Sequence, residues 1–190
     1  MKKSPLVIAV ALFMFAGASA NRVAQTPRPS ATLDETLEII RNKTTVEGNY
    51  VLWGGDAPAR ISFASLGGCQ AQLVTNFYQS NNGGVTGDIV RTFSHSFSFA
   101  DIDPQTIKKD KAGSIYDSTV EFFRIVPQTY KSQKKIEWRD TLDNRLKKAA
   151  DITIIVRDSQ TADTLVQALK HAARLCHDKL DVSRIVVPKT

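Results

Sequence analysis

Cys69 and Cys176 are the only cysteines in the chain, and their oxidation to one disulfide is the clearest chemistry the residues offer. Thiols outside the cytoplasm are readily oxidised. The alternative is two buried free thiols; a catalytic redox pair would need a Cys-x-x-Cys spacing that is absent. The three histidines, His95, His171 and His177, would bind a metal only if brought together with a carboxylate such as Asp178. On one helix His171 and His177 lie about 120° from alignment, and His95 stands in a Ser/Phe-rich run as a half-buried structural group. The sequence contains no Gly-x-Ser-x-Gly elbow, no His-Glu-x-x-His pair and no Gly-rich phosphate loop followed by Lys. Gly83-Gly84 with Gly87 reads as a hairpin loop, and Ser94 and His95, as neighbours on a strand, point to opposite faces. No catalytic residue, cofactor or metal ligand is therefore expected. Phe93, Phe97 and Phe99, alternating with Ser94, Ser96 and Ser98, could join Tyr116, Phe122, Phe123 and Trp138 around a small apolar ligand. The same residues, packed on one another, would instead fill a core.

The first residues carry the parts of an export signal. Lys2 and Lys3 form a basic start, Leu6 to Ala16 an apolar run, and Ala18-Ser19-Ala20 a small-residue cleavage site. Cleavage between Ala20 and Asn21 is expected. The apolar run is short of the roughly 20 residues that cross a bilayer, and no cysteine follows the signal to carry a lipid. A periplasmic or secreted protein without stable membrane insertion is the expectation. The formal charge of +6 falls to about +4 once Lys2 and Lys3 are removed. That excess comes from short clusters that read as solvated surface, such as Lys108-Lys109 with Lys111 and Arg145 with Lys147-Lys148, and no nucleic-acid partner is expected.

Residues 21–31, with Pro27 and Pro29, read as a flexible linker. One domain is expected over 32–180, followed by a tail at 181–190. Thr32 and Glu35 form a capping box, and Leu33, Leu37 and Ile40 predict a short helix ending near Asn42 on the domain's outside. From Gly48 to about Arg157 seven strand-like runs follow, near 48–53, 59–65, 69–79, 88–99, 115–126, 133–139 and 151–157. In the third, Cys69, Ala71, Leu73, Thr75 and Phe77 share one face. In the last, Ile152, Ile154 and Val156 do so. Residues 141–149 are more helix-like than strand-like. A strong helix opens near Asp158 or Ser159 and runs to about His177, with Ala162, Leu165, Val166, Leu169, Ala172, Ala173 and Cys176 on one apolar stripe. Cys69 and Cys176 thus both face the core, which favours their pairing.

A β-rich body followed by one amphipathic helix resembles the pleckstrin-homology-like (PH-like) fold: about seven antiparallel strands in a two-sheet barrel or sandwich, closed by a C-terminal helix. Phe97-Ser98-Phe99-Ala100-Asp101-Ile102-Asp103-Pro104 and Ala168-Leu169-Lys170-His171-Ala172-Ala173-Arg174-Leu175-Cys176 sharpen the likeness. Both are similar to segments of bacterial exported proteins with PH-like domains. Inositol phosphate-binding members use basic residues around the first hairpin, where this chain has Gly54-Gly55-Asp56-Ala57-Pro58. The resemblance therefore implies a platform for a protein or peptide partner. The alternative is a carrier or sensor of a lipid or other small apolar ligand.

Overall fold

The computed structural model describes residues 27–47, 49–51, 58–79, 88–114 and 121–185. The export signal with its junction at Ala20 and Asn21, the turns at 54–56 and 81–84, and Tyr116 lie outside the described residues.

Helix α1 spans Leu33–Glu47. The reciprocal cap forms as its spacing predicts: the Thr32 N–H donates to Glu35 Oε2 at 2.7 Å, and the Glu35 N–H to Thr32 Oγ1 at 3.3 Å. The bonds from Thr32 to the Glu35 carboxyl hold it below its ordinary range. Leu33, Leu37 and Ile40 are buried. The helix continues past Asn42, because the Thr44 hydroxyl bonds back to Ile40 O at 2.8 Å and Thr44 is itself buried.

The body is antiparallel, as expected, but holds eleven short strands among the described residues where the sequence predicts about seven. They are β1 (Asn49–Val51), β2 (Pro58–Gly67), β3 (Gln70–Tyr78), β4 (Ile89–Ser98), β5 (Ile102–Asp103), β6 (Lys109–Ser114), β7 (Glu121–Ile125), β8 (Gln128–Thr129), β9 (Ile136–Asp140), β10 (Leu146–Ala149) and β11 (Ile154–Val156). A six-stranded sheet runs β1-β2-β3-β4-β9-β10, a three-stranded one β11-β7-β6, and β5 pairs with β8. Among the described residues the sheets do not close into a barrel, since β1 and β10 are separate edges of one sheet. The arrangement is a layered α+β fold.

The structure departs from expectation at three further places. Residues 146–149 form a strand rather than part of a helix, because pairing with β9 overrides the helix propensity of Leu-Lys-Lys-Ala. Residues 109–114, outside the seven predicted runs, form β6 with their charged side chains largely exposed. There Asp110 lies opposite Arg124, and Lys111 pairs with Glu121 at 2.5 Å, so ion pairs take the place of an apolar alternation. Cys69 sits in the turn before β3 rather than on the strand. That turn needs Gly68 at φ +54°, a left-handed conformation cheap only for glycine.

Helix α2 spans Ser159–Ile185, longer than predicted. Asp158 caps it, accepting from the Thr161 N–H at 2.5 Å, and this bond lowers the Asp158 pKa. All seven predicted stripe residues are buried, and so are Thr161, Thr164 and Ala168. The stripe is wide because α2 meets α1 on one side and, on the other, β7, β11 and the 3-10 turn at Phe99–Asp101. Phe99, Ile102, Ile107, Ile125, Ile152 and Ile154 complete this core. Cys69 and Cys176 are joined in a disulfide, with Cα atoms 5.6 Å apart, which ties the β2–β3 turn to α2.

Candidate functional site

Directly opposed residues of an antiparallel ladder share a face. Register places Ala71 opposite Phe97, Leu73 opposite His95, Thr75 opposite Phe93 and Phe77 opposite Arg91 across β3 and β4. It continues His95 to Trp138 and Phe93 to Asp140 on β9, then Trp138 to Lys147 on β10. One face of the six-stranded sheet therefore changes character along its length. At one end Ala71, Phe97 and Ile136 are buried. At the other, Phe77, Phe93 and Trp138 are only half-buried.

The half-buried aromatics form a strip. Phe77 meets Phe93 edge-on with ring centres 5.3 Å apart, and Phe93 meets Trp138 at 5.9 Å. Cations cover both ring ends, the Arg91 guanidinium 4.5 Å from the Phe93 centroid and Lys147 Nζ 4.6 Å from that of Trp138. Arg91 also makes a two-pronged bond to the buried Asp140, at 3.1 Å from Nε and 2.6 Å from Nη2. That bond holds the Asp140 carboxyl below its ordinary range and raises Arg91 further. His95 stacks on Trp138, ring centres 6.2 Å apart and planes 19° from parallel. Its Nδ1 is buried without a hydrogen-bond partner, and burial lowers its pKa while Asp151 pulls the other way.

The turn joining β9 to β10 stands beside this strip and is tightly braced. Asp140 Oδ1 accepts from the Leu142 N–H at 3.0 Å, Asp140 O from the Asn144 N–H at 2.8 Å, and Asp143 Oδ1 from the Arg145 N–H at 3.0 Å. Lys147 pairs with Asp143, lowering that carboxyl's pKa. Thr141 ties the turn to β4, donating its N–H to Thr92 O at 3.1 Å while its hydroxyl accepts from the Thr92 N–H at 2.9 Å. Asn144 takes φ 50°, the left-handed position that Asn tolerates in a hairpin turn.

Large aliphatic side chains are exposed around this end: Ile89 at 53%, Val90 at 49%, Leu142 at 68% and Leu146 at 55%. Ile89 and Val90 open β4 just before Arg91, and Leu142 follows Asp140, so the Arg91–Asp140 pair places them at one end of the sheet. These residues escape a reading of the sequence. The turn signal in Asp140-Thr141-Leu142-Asp143-Asn144 is the available cue, outweighed by the helix propensity of Arg145 to Ala149.

The residues singled out from sequence divide. Phe97, Phe99 and Phe122 are core side chains, whereas Phe93, Phe123 and Trp138 are half-buried. The histidines stand apart: His95 on the sheet, His171 donating Nε2–H to Ala31 O at 2.9 Å, and His177 against the Tyr130 ring with centres 5.2 Å apart. No helix among the described residues is long and apolar enough to cross a membrane. No family model, curated protein or solved structure matches the chain.

Proposed function

We propose that the protein is an exported, non-enzymatic binding or scaffolding module that recognises a protein or peptide partner at the open end of its six-stranded sheet, on a fold of PH-like type. The observation that carries the reading is the exposure of Ile89, Val90, Leu142 and Leu146 at the end of the sheet where the Phe77–Phe93–Trp138 strip is half-buried, with Ile89 (opposite Tyr78) and Leu146 (opposite Arg139) on the other face from the strip. Scattered surface leucines need no explanation, but large exposed apolar groups gathered at one end of a sheet are the usual mark of an interaction surface. Aromatic and Arg side chains are also the types enriched at the centres of such surfaces. The disulfide supports export to a periplasmic or extracellular setting.

Native mass spectrometry on protein purified from its own host tests this. A protein or peptide adduct that disappears on Ile89→Asp with Val90→Asp is expected. A co-purifying lipid or other small apolar molecule, held equally by that variant, would instead favour the carrier reading.

A further inference from the structure

We propose that Leu142 is the anchor of this surface, a preformed knob that enters an apolar pocket rimmed by carboxylates on a partner protein. The proposal rests on the binding reading above and assigns the partner its chemistry.

The first ground is the conflict between exposure and order. Leu142 is the most exposed of the large apolar side chains among the described residues, at 68%. A solvated leucine on a loose turn is ordinary; this turn is not loose. The backbone N–H groups of Thr141, Leu142, Asn144 and Arg145 all donate, to Thr92 O, Asp140 Oδ1, Asp140 O and Asp143 Oδ1 respectively. The Asp140 carboxylate that holds Leu142 is buried and clamped by Arg91. Ordering a loop at an interface costs conformational entropy, and a loop already ordered in the free protein avoids that cost. The bracing therefore gives an exposed apolar group the preorganisation of a docking element.

The second ground is charge. Arg139 and Arg145 stand three residues before and after the knob and Lys148 follows on β10, and none has a carboxylate within ion-pair distance among the described residues. Asp140 and Asp143 are already taken by Arg91 and Lys147. The remaining acids nearby are Glu137, opposite Lys148 in register, and Asp88 at the foot of β4. A second copy of this chain would bring the same unpaired cations face to face. Pairing of a partner strand along the neighbouring edge is also disfavoured, since β10 is short and carries lysines, the features that blunt an edge. Complementarity selects a pocket with an acidic rim.

The test places a photo-crosslinking benzoylphenylalanine at Leu146 in the full-length protein in its own host and identifies what it captures. The captured protein is then purified and titrated calorimetrically with wild type, Leu142→Ala, and Arg145→Glu combined with Lys148→Glu. Leu142→Ala, whose side chain packs on little, should keep the wild-type melting temperature and lose at least about tenfold in affinity. The charge reversal should also weaken binding and flatten its salt dependence. Affinity unchanged within about twofold in Leu142→Ala would overturn the proposal. So would a crosslink only to lipid or to a second copy, or no crosslink at all. If binding survives Leu142→Ala but is lost in Ile89→Asp with Val90→Asp, the broader binding reading stands and the knob falls.

Discussion

His95 shows how one side chain comes to depend on pH by position alone. Register sets it between Leu73 and Trp138, where its Nδ1 is buried without a partner. Desolvation disfavours the imidazolium, so the folded-state pKa lies below the ordinary value of about 6.5, with Asp151 offsetting part of the shift. Between the folded and unfolded values the unfolded chain binds more protons, and stability therefore rises with pH. The contribution is complete above about pH 6.5 and is lost as pH falls through that value towards the folded-state pKa. Urea melts at pH 5 and pH 8 should show lower stability at pH 5. His95→Phe, which keeps a ring against Trp138, should narrow that difference; an unchanged gap would place its source elsewhere. The carboxylates act lower on the scale. Asp140 and Asp143, depressed chiefly by Arg91 and Lys147, contribute stability that is present above about pH 4 and disappears as pH falls through their folded-state values.

At the level of elements, the helices tell how sequence turned into structure. Asp158 accepts from the Thr161 N–H at the start of α2, and Asp158→Ala should cost about 1 kcal/mol in a denaturant melt. The α2 stripe and the α1 capping box were legible because their signals are local, a 3.6-residue period and a three-residue spacing. The β3 face and the Ile152, Ile154, Val156 face were legible for the same reason. β6 and β10 were not, because their partners lie outside each run, on other strands and on α2. Lys109 reaches Asp163 at 2.7 Å and lies over the Phe123 ring, and Lys147 lies over Trp138. No short window of sequence contains both partners of such pairs. The candidate site was half visible on the same principle. Phe93 and Trp138 stood out as aromatics, but Arg91, Asp140 and Leu142 gain meaning only when β4 and β9 lie side by side.

For the molecule as a whole, the decisive tie is the Cys69–Cys176 bridge, which spans a sequence separation of 107 and fastens a turn of the large sheet to α2. Both local patterns pointed inward in the sequence, although Cys69 reaches the helix from a turn rather than from a strand face. In the chain-entropy model a bridge of this span contributes up to about 4.7 kcal/mol, with about 2–4 kcal/mol typical of measured cases. Cys176→Ser should lower the melting temperature as much as the double serine variant does, because either loss opens the same loop. Calorimetric scans of the two variants should coincide, and both should match the reduced wild type. The bridge also fixes how the protein bears load. Everything from β3 to the middle of α2 lies inside one covalent ring, so tension applied at the chain ends passes through the two sulfur atoms and bypasses the strands between them. Under pull, α1 and the far end of α2 can unravel while those strands stay sheltered; only reduction would release the ring's 107-residue span, lengthening the tether by roughly 350–390 Å.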